Sequence, residues 1–147
     1  RAVAHALARA GAHVGLVART AADLDRVAAE LRAASPGARV AVSAADVGDQ
    51  AAVEGAVARL REALGEIDVL VNNAGAAQFG SVLDAEPELW ERLYRVNVLG
   101  TLHATRAVLP GMIARRRGDV INVASTAGEK AAAGTGPYSA SKAAVLR

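Results

Sequence analysis

Residues 66–75 read EIDVLVNNAG. Ile67 and Val69 to Val71 form an apolar run too short for a helix and bounded by turn residues, which predicts a strand. Asn72, Asn73, Ala74 and Gly75 end it in a polar turn. The run is continuous rather than alternating, so both faces of the strand are expected to be covered, as in a parallel sheet. Three more stretches share this character: HVGLVAR at 13–19, RVAVSAAD at 39–46 and GDVINVAS at 118–125.

Helical periods separate these strands. Val3 and Leu7 mark a helix over 2–10 that Gly11 closes. Leu24, Val27 and Leu31 recur at helical spacing before the breaker SPGA at 35–38. Val53, Val57, Leu60 and Leu64 do the same over 49–65, with Asp49 as a candidate N-cap. From roughly Pro87 to Arg117 the pattern is helical and long, and Pro110-Gly111 is expected to kink or break it. GPYSASKAAVLR at 136–147 opens a last helix, with Pro137 near its start. The order α-β-α-β-α-β-α-β-α implies helical crossovers between parallel strands. The predicted class is α/β, with an open, Rossmann-like doubly wound parallel sheet. Such sheets bind ligands outside the carboxyl ends of their strands. That directs attention to Arg19, Asp46, Asn72 to Gly75, and Ser125.

Composition narrows the partners. The 147 residues suit one domain, over half of them apolar, with a net charge of +2. The one basic cluster, Arg115 to Arg117, reads as a helix C-terminus rather than a phosphate contact, so no nucleic acid is expected. No apolar run approaches the ~20 residues needed to span a bilayer, so no membrane association is expected. There is no cysteine, hence no disulfide and no thiolate metal site. This fits a reducing compartment, and a cytoplasmic location is expected. His5, His13 and His103 lack metal-ligand spacing, and no metal is expected.

A sheet of this class should begin with a strand and a Gly-rich turn that cradles pyrophosphate. RAVAHALARAGAHV at 1–14 reads as the helix that would follow such a turn, and no GxGxxG stretch occurs. The remaining signals appear in a telling order. NNAG follows a strand, Asn97 lies in VNVLG, Ser125 in INVASTAG, and Tyr138 and Lys142 form YxxxK thirteen residues after Ser125. Together these resemble the short-chain dehydrogenase/reductase family. YxxxK alone is a weak pattern; the ordered set, each on its own element, is specific. The resemblance implies that residues 1–147 are the central piece of a dinucleotide-binding domain, truncated at both ends, with an incomplete sheet.

Tyr138 and Lys142 are i and i+4 and share a helix face. An ammonium near a phenol favours the phenolate, which an ordinary surface pair would not exploit. The resemblance makes Tyr138 the general acid for carbonyl reduction and the base for alcohol oxidation. It makes Lys142 a ligand of the nicotinamide ribose as well. Ser125, or less favourably Thr126, would hydrogen-bond the reacting oxygen. Asn97 either bonds locally or, by resemblance, holds a water that relays protons to Lys142. Asn73, Ala74 and Gly75 would line the cofactor and steady the sheet. Asp46 and Val47 would contact adenine, unless Asp46 is simply an N-cap. In LVART at 16–20, Ala18 stands where an acid selecting NAD would most often lie, and Arg19 can pair with a 2′-phosphate. NADP is therefore expected over NAD, although Arg19 also suits a solvated loop. Leu89, Leu93, Val108 and Leu109 suit either a core or the interface of a homodimer or homotetramer.

The expected function of the parent protein is hydride transfer between NADP(H) and a small-molecule carbonyl or secondary alcohol. A 3-oxoacyl thioester reductase is one form this could take. The alternative is a dinucleotide-binding sensor or scaffold without turnover. By the resemblance, the substrate pocket would be shaped largely by segments after the last helix.

Overall fold

The computed structural model describes residues 1–130 and 132–147. It divides into two compact units, Arg1–Ile67 and Asp68–Arg147.

The first unit contains α1 (Ala2–Arg9), β1 (Val14–Ala18), α2 (Ala21–Ala34), β2 (Val40–Ala44) and α3 (Gln50–Leu64). Strands β1 and β2 are parallel, with Val14 opposite Val40 and Ala18 opposite Ala44. Its core gathers Ala8, Val14, Leu31 and Ala38, flanked by Leu7, Leu16 and Val27. Helix α3 buries Val53, Ala56, Val57 and Leu60. Its N-cap is Asp49, whose side chain accepts from the Ala52 amide at 3.0 Å. Helix α1 ends at a left-handed Gly11, φ 89°. On the outer side of α2, Glu30 meets Arg1 at 2.9 Å, Arg26 at 3.3 Å and His5 at 3.5 Å. Burial pushes this carboxyl up, but the neighbouring Arg1, His5 and Arg26 outweigh it and hold the group below the usual carboxylate range.

The second unit contains β3 (Val69–Asn72), α4 (Pro87–Tyr94), a π-turn (Arg95–Leu99), α5 (Gly100–Arg115), β4 (Asp119–Asn122), a 3₁₀ turn (Thr126–Gly128) and α6 (Gly136–Leu146). Strands β3 and β4 are parallel, with Val69 opposite Asp119 and Asn72 opposite Asn122. Parallel strands joined by helices are the α/β architecture expected. Each unit holds one two-stranded parallel sheet among the described residues.

Two expectations need correction. The long helical stretch is not broken at Pro110, which lies inside α5. A proline there removes one bond, to the Arg106 carbonyl, and both residues are exposed, so water can satisfy it. The irregularity lies instead at the π-turn. Nor is every strand covered on both faces. All four residues of β4 are exposed, and among the described residues β3 and β4 pair only with each other.

The arginine cluster ends α5 as expected. Arg116 takes a left-handed C-cap conformation, while Arg115 and Arg117 lie 4.0 and 3.5 Å from Asp68. Leu93 and Val108 are core residues, Leu89 is half-buried and Leu109 is exposed.

Candidate active site

The second unit assembles most of the singled-out residues. Asn97 sits in the π-turn and is 1% exposed. An asparagine has poor helix propensity because its amide competes for backbone groups. Here both of its N–H hydrogens and one lone pair of its oxygen are used. Its Oδ1 accepts from the Ala76 amide at 2.8 Å. Its Nδ2 donates to the Ala76 carbonyl at 3.0 Å and to Ser141 Oγ at 2.8 Å. The wider π-turn alters carbonyl partners locally, and Thr101 Oγ1 donates to the Asn97 carbonyl at 2.9 Å.

Helix α6 carries Tyr138 and Lys142 one turn apart. Pro137 occupies its first turn, where a missing N–H costs nothing. Ser141 donates to the Tyr138 carbonyl at 2.8 Å while receiving the Asn97 amide. Lys142 is 6% exposed, and its Nζ donates to the Val123 carbonyl at 2.8 Å. An ammonium this buried is costly unless its donors find partners. One carbonyl takes one of three N–H bonds, which leaves capacity for polar groups of a ligand. The Tyr138 hydroxyl has no hydrogen bond among the described residues; its ring meets Phe79 edge-on, centroids 5.8 Å apart.

Gly75 ends the NNAG turn beside these groups. A Cβ there would lie 3.3 Å from Asn97 Oδ1 and 3.5 Å from Lys142 Nζ. The turn is thus tight, bare and next to a buried cation, a cradle suited to a polar ligand lying along the backbone. Asn72 ties the unit together, donating to Thr105 Oγ1 at 3.1 Å and Asn122 Oδ1 at 2.9 Å. Asn73 and Ala74 are exposed beyond it.

Ser125 follows β4 and caps the 3₁₀ turn, its Oγ accepting from the Ala127 amide at 3.2 Å. Its hydroxyl proton is uncommitted among the described residues, and no hydrogen bond joins it to Tyr138. The turn is pressed onto α6: a Cβ on Gly128 would stand 2.7 Å from the Lys142 carbonyl carbon and 2.8 Å from the Ala143 nitrogen. Backbone contact therefore couples the end of β4 to the helix bearing Lys142.

Arg19, Asp46 and Val47 belong to the first unit. Arg19 is exposed immediately after β1. Thr20 is the N-cap of α2, yet its hydroxyl makes no capping bond. Asp46 is half-buried after β2 and Oδ1 accepts from the Gly48 amide at 2.9 Å. The N-cap of α3 is Asp49, so Asp46 is free of that duty.

Two participants are absent from the sequence reading: Ser141, which links Asn97 to α6, and Phe79. Ser141 adjoins Lys142 within YSASK, but serine in a helix carries no signal of which partner it will meet. Among the described residues no group of His, Asp and Glu could hold a metal ion. No helix among them is long and apolar enough to cross a membrane.

Order of motifs, parallel strands and this cluster agree with one class of protein. The chain belongs to the short chain dehydrogenase family, whose model matches residues 1–147. A relative from Xanthobacter autotrophicus, named an inactive 2-(S)-hydroxypropyl-CoM dehydrogenase 2, is 45% identical over 98% of this chain and 60% of its own length. An actinorhodin polyketide ketoreductase variant solved with NADPH superposes with a TM-score of 0.93 at 36% identity, covering 98% of this chain and 55% of that one. L-Sorbose reductase from Gluconobacter frateurii, complexed with NADPH and L-sorbose, gives 0.93 at 33% identity, covering 99% and 55%. Both are Rossmann-like folds of this family. This chain spans little more than half the length of such relatives.

Proposed function

We propose that residues 1–147 are part of one dinucleotide-binding domain in an NADP(H)-dependent reductase of ketones, or dehydrogenase of secondary alcohols. 3-Oxoacyl thioesters are one substrate class that fits. The observation that carries this reading is the buried Lys142 ammonium beside Asn97 and the bare Gly75 turn, one helical turn from a phenol with an uncommitted hydroxyl.

The residues fit a nicotinamide cofactor. Asn73, Ala74 and Gly75 would line it, and Lys142 would offer its remaining N–H donors to ribose hydroxyls. When bound, that group supplies or accepts the hydride. Tyr138 gives its hydroxyl proton to the carbonyl oxygen in reduction and takes it back in oxidation. Ser125 donates to the same oxygen as charge develops. The Lys142 ammonium stabilises the oxyanion left on Tyr138. Asn97 has both amide hydrogens committed, so a relay water would bind at the second lone pair of Oδ1, on the side facing Gly75 and Lys142 Nζ.

NADP is favoured over NAD by the exposed Arg19 guanidinium and by Thr20, whose hydroxyl caps nothing at the start of α2. A 2′-phosphate suits both groups. Asp46 and Val47 would contact adenine. Self-association as a homodimer or homotetramer is supported by Leu102, Leu109 and Ile113, which are exposed along α5. A cytoplasmic location is supported by the lack of cysteine.

One observation favours a second reading, a dinucleotide-binding sensor or scaffold: the Xanthobacter relative is named inactive. NADPH oxidation by the full-length protein with a panel of ketones separates the two. Turnover is expected, and Tyr138→Phe is expected to lower kcat about a hundredfold or more while NADPH still binds. In the same assay Arg19→Ala should raise KM for NADPH and leave that for NADH unchanged. NADPH binding with no turnover on any ketone favours the sensor.

A further inference from the structure

Phe79 is the chain's single phenylalanine, and its placement is unusual. It is 64% exposed, so burial does not explain it. Exposed apolar residues are common on any surface, but they are rarely held in place. Phe79 is held on both sides. Before it, Asn97 grips the Ala76 amide and carbonyl, and Gln78 Oε1 accepts from Arg92 Nη2. After it, the Gly80 amide donates to the Gly134 carbonyl at 2.7 Å, and Gly80 pairs with Thr135 as a parallel bridge. Ser81 then closes a turn on Asp84 at 2.5 Å. Between these anchors the ring lies at 77° to that of Tyr138 with centroids 5.8 Å apart, a favourable edge contact.

A carbonyl oxygen bonded to the Tyr138 hydroxyl keeps its carbon, and both substituents on that carbon, within about one ring length of Tyr138. Phe79 is the neighbouring ring, with most of its surface unused by the fold. We propose that Phe79 is a specificity-determining residue of this site. It walls the space beside the phenol and selects carbonyl compounds that carry a flat, apolar substituent over small hydroxylated ones. This rests on the carbonyl-reductase reading and names a substrate class within it.

The test uses the full-length protein with NADPH and two ketones, acetophenone and hydroxyacetone. Phe79→Ala should lower kcat/KM for acetophenone about tenfold, with less than about a twofold change for hydroxyacetone, and Phe79→Leu should recover most of the loss. Equal losses on both ketones, or none on either, overturn the proposal and leave the reductase reading standing. A second arm needs no turnover. In a Tyr138→Phe background, acetophenone binding is read from quenching of bound NADPH fluorescence. Adding Phe79→Ala should weaken that binding about tenfold. Unchanged binding, or none by the protein that retains Phe79, overturns the proposal. Lost binding in a protein that turns over no ketone supports the wall while the reductase reading fails.

Discussion

At residue scale, the single side-chain amide of Asn97 makes three hydrogen bonds within the second unit. It satisfies both backbone groups of Ala76 and the hydroxyl of Ser141 from a position 1% exposed. Asn97→Ala would leave the half-buried Ala76 amide and carbonyl and one acceptor site of the buried Ser141 hydroxyl without this partner, and each buried unpaired polar group costs about 1–3 kcal/mol. Neighbouring losses are not additive, and Ser141 keeps its bond to Tyr138, so we expect a loss of about 2–4 kcal/mol. Urea unfolding of the full-length variant measures it; a loss below 1 kcal/mol would show that water replaces the amide. Asn97 was visible in the sequence because it stands in VNVLG, within the ordered set of motifs, and is an amide of poor propensity inside a helix pattern. Ser141 and Phe79 were not. A helical serine and a loop phenylalanine are ordinary by type, and their importance comes from partners 44 and 59 positions away.

Elements divide in the same way. The strand runs, the Asp49 cap and the Arg115–Arg117 terminus were legible because each is encoded within a few residues. The π-turn was not, because its signature is a shifted hydrogen-bond partner and not a residue type. Pro110 misled for the converse reason: it is locally a breaker, but its cost is paid to solvent. The 3₁₀ turn presses directly on the main chain of α6. At Gly128 an added methyl would meet main-chain atoms of Lys142 and Ala143 at 2.7–2.8 Å, and neither can rotate away. Gly128→Ala is expected to destabilise by about 1–3 kcal/mol and to lower NADPH affinity through displacement of Lys142. Thermal unfolding with and without NADPH checks both; an unshifted midpoint would mean that the turn lifts without consequence.

For the molecule as a whole, the α/β class was readable, and so was an incomplete sheet that leaves apolar strand and helix surface uncovered. Leu83 is 95% exposed and Ile113 66%, and Val69, Val120, Ile121 and Val123 around β3 and β4 are exposed as well. Apolar strand surface of this kind associates with other copies. Residues 1–147 expressed alone should therefore aggregate, as read by size-exclusion chromatography with light scattering. A monodisperse, cooperatively unfolding monomer that binds NADPH tightly would refute this. The segment between Ala76 and Gly80 has a different implication. It is secured mainly through its own amides and carbonyls, at Asn97 and Gly134, with side-chain contacts from Gln78 to Arg92 and from the Phe79 ring to Tyr138. Residues there can drift in sequence, or be randomised in directed evolution, without dislodging Asn97, Tyr138 or Lys142. Substrate range and proton chemistry can then be inherited and altered separately.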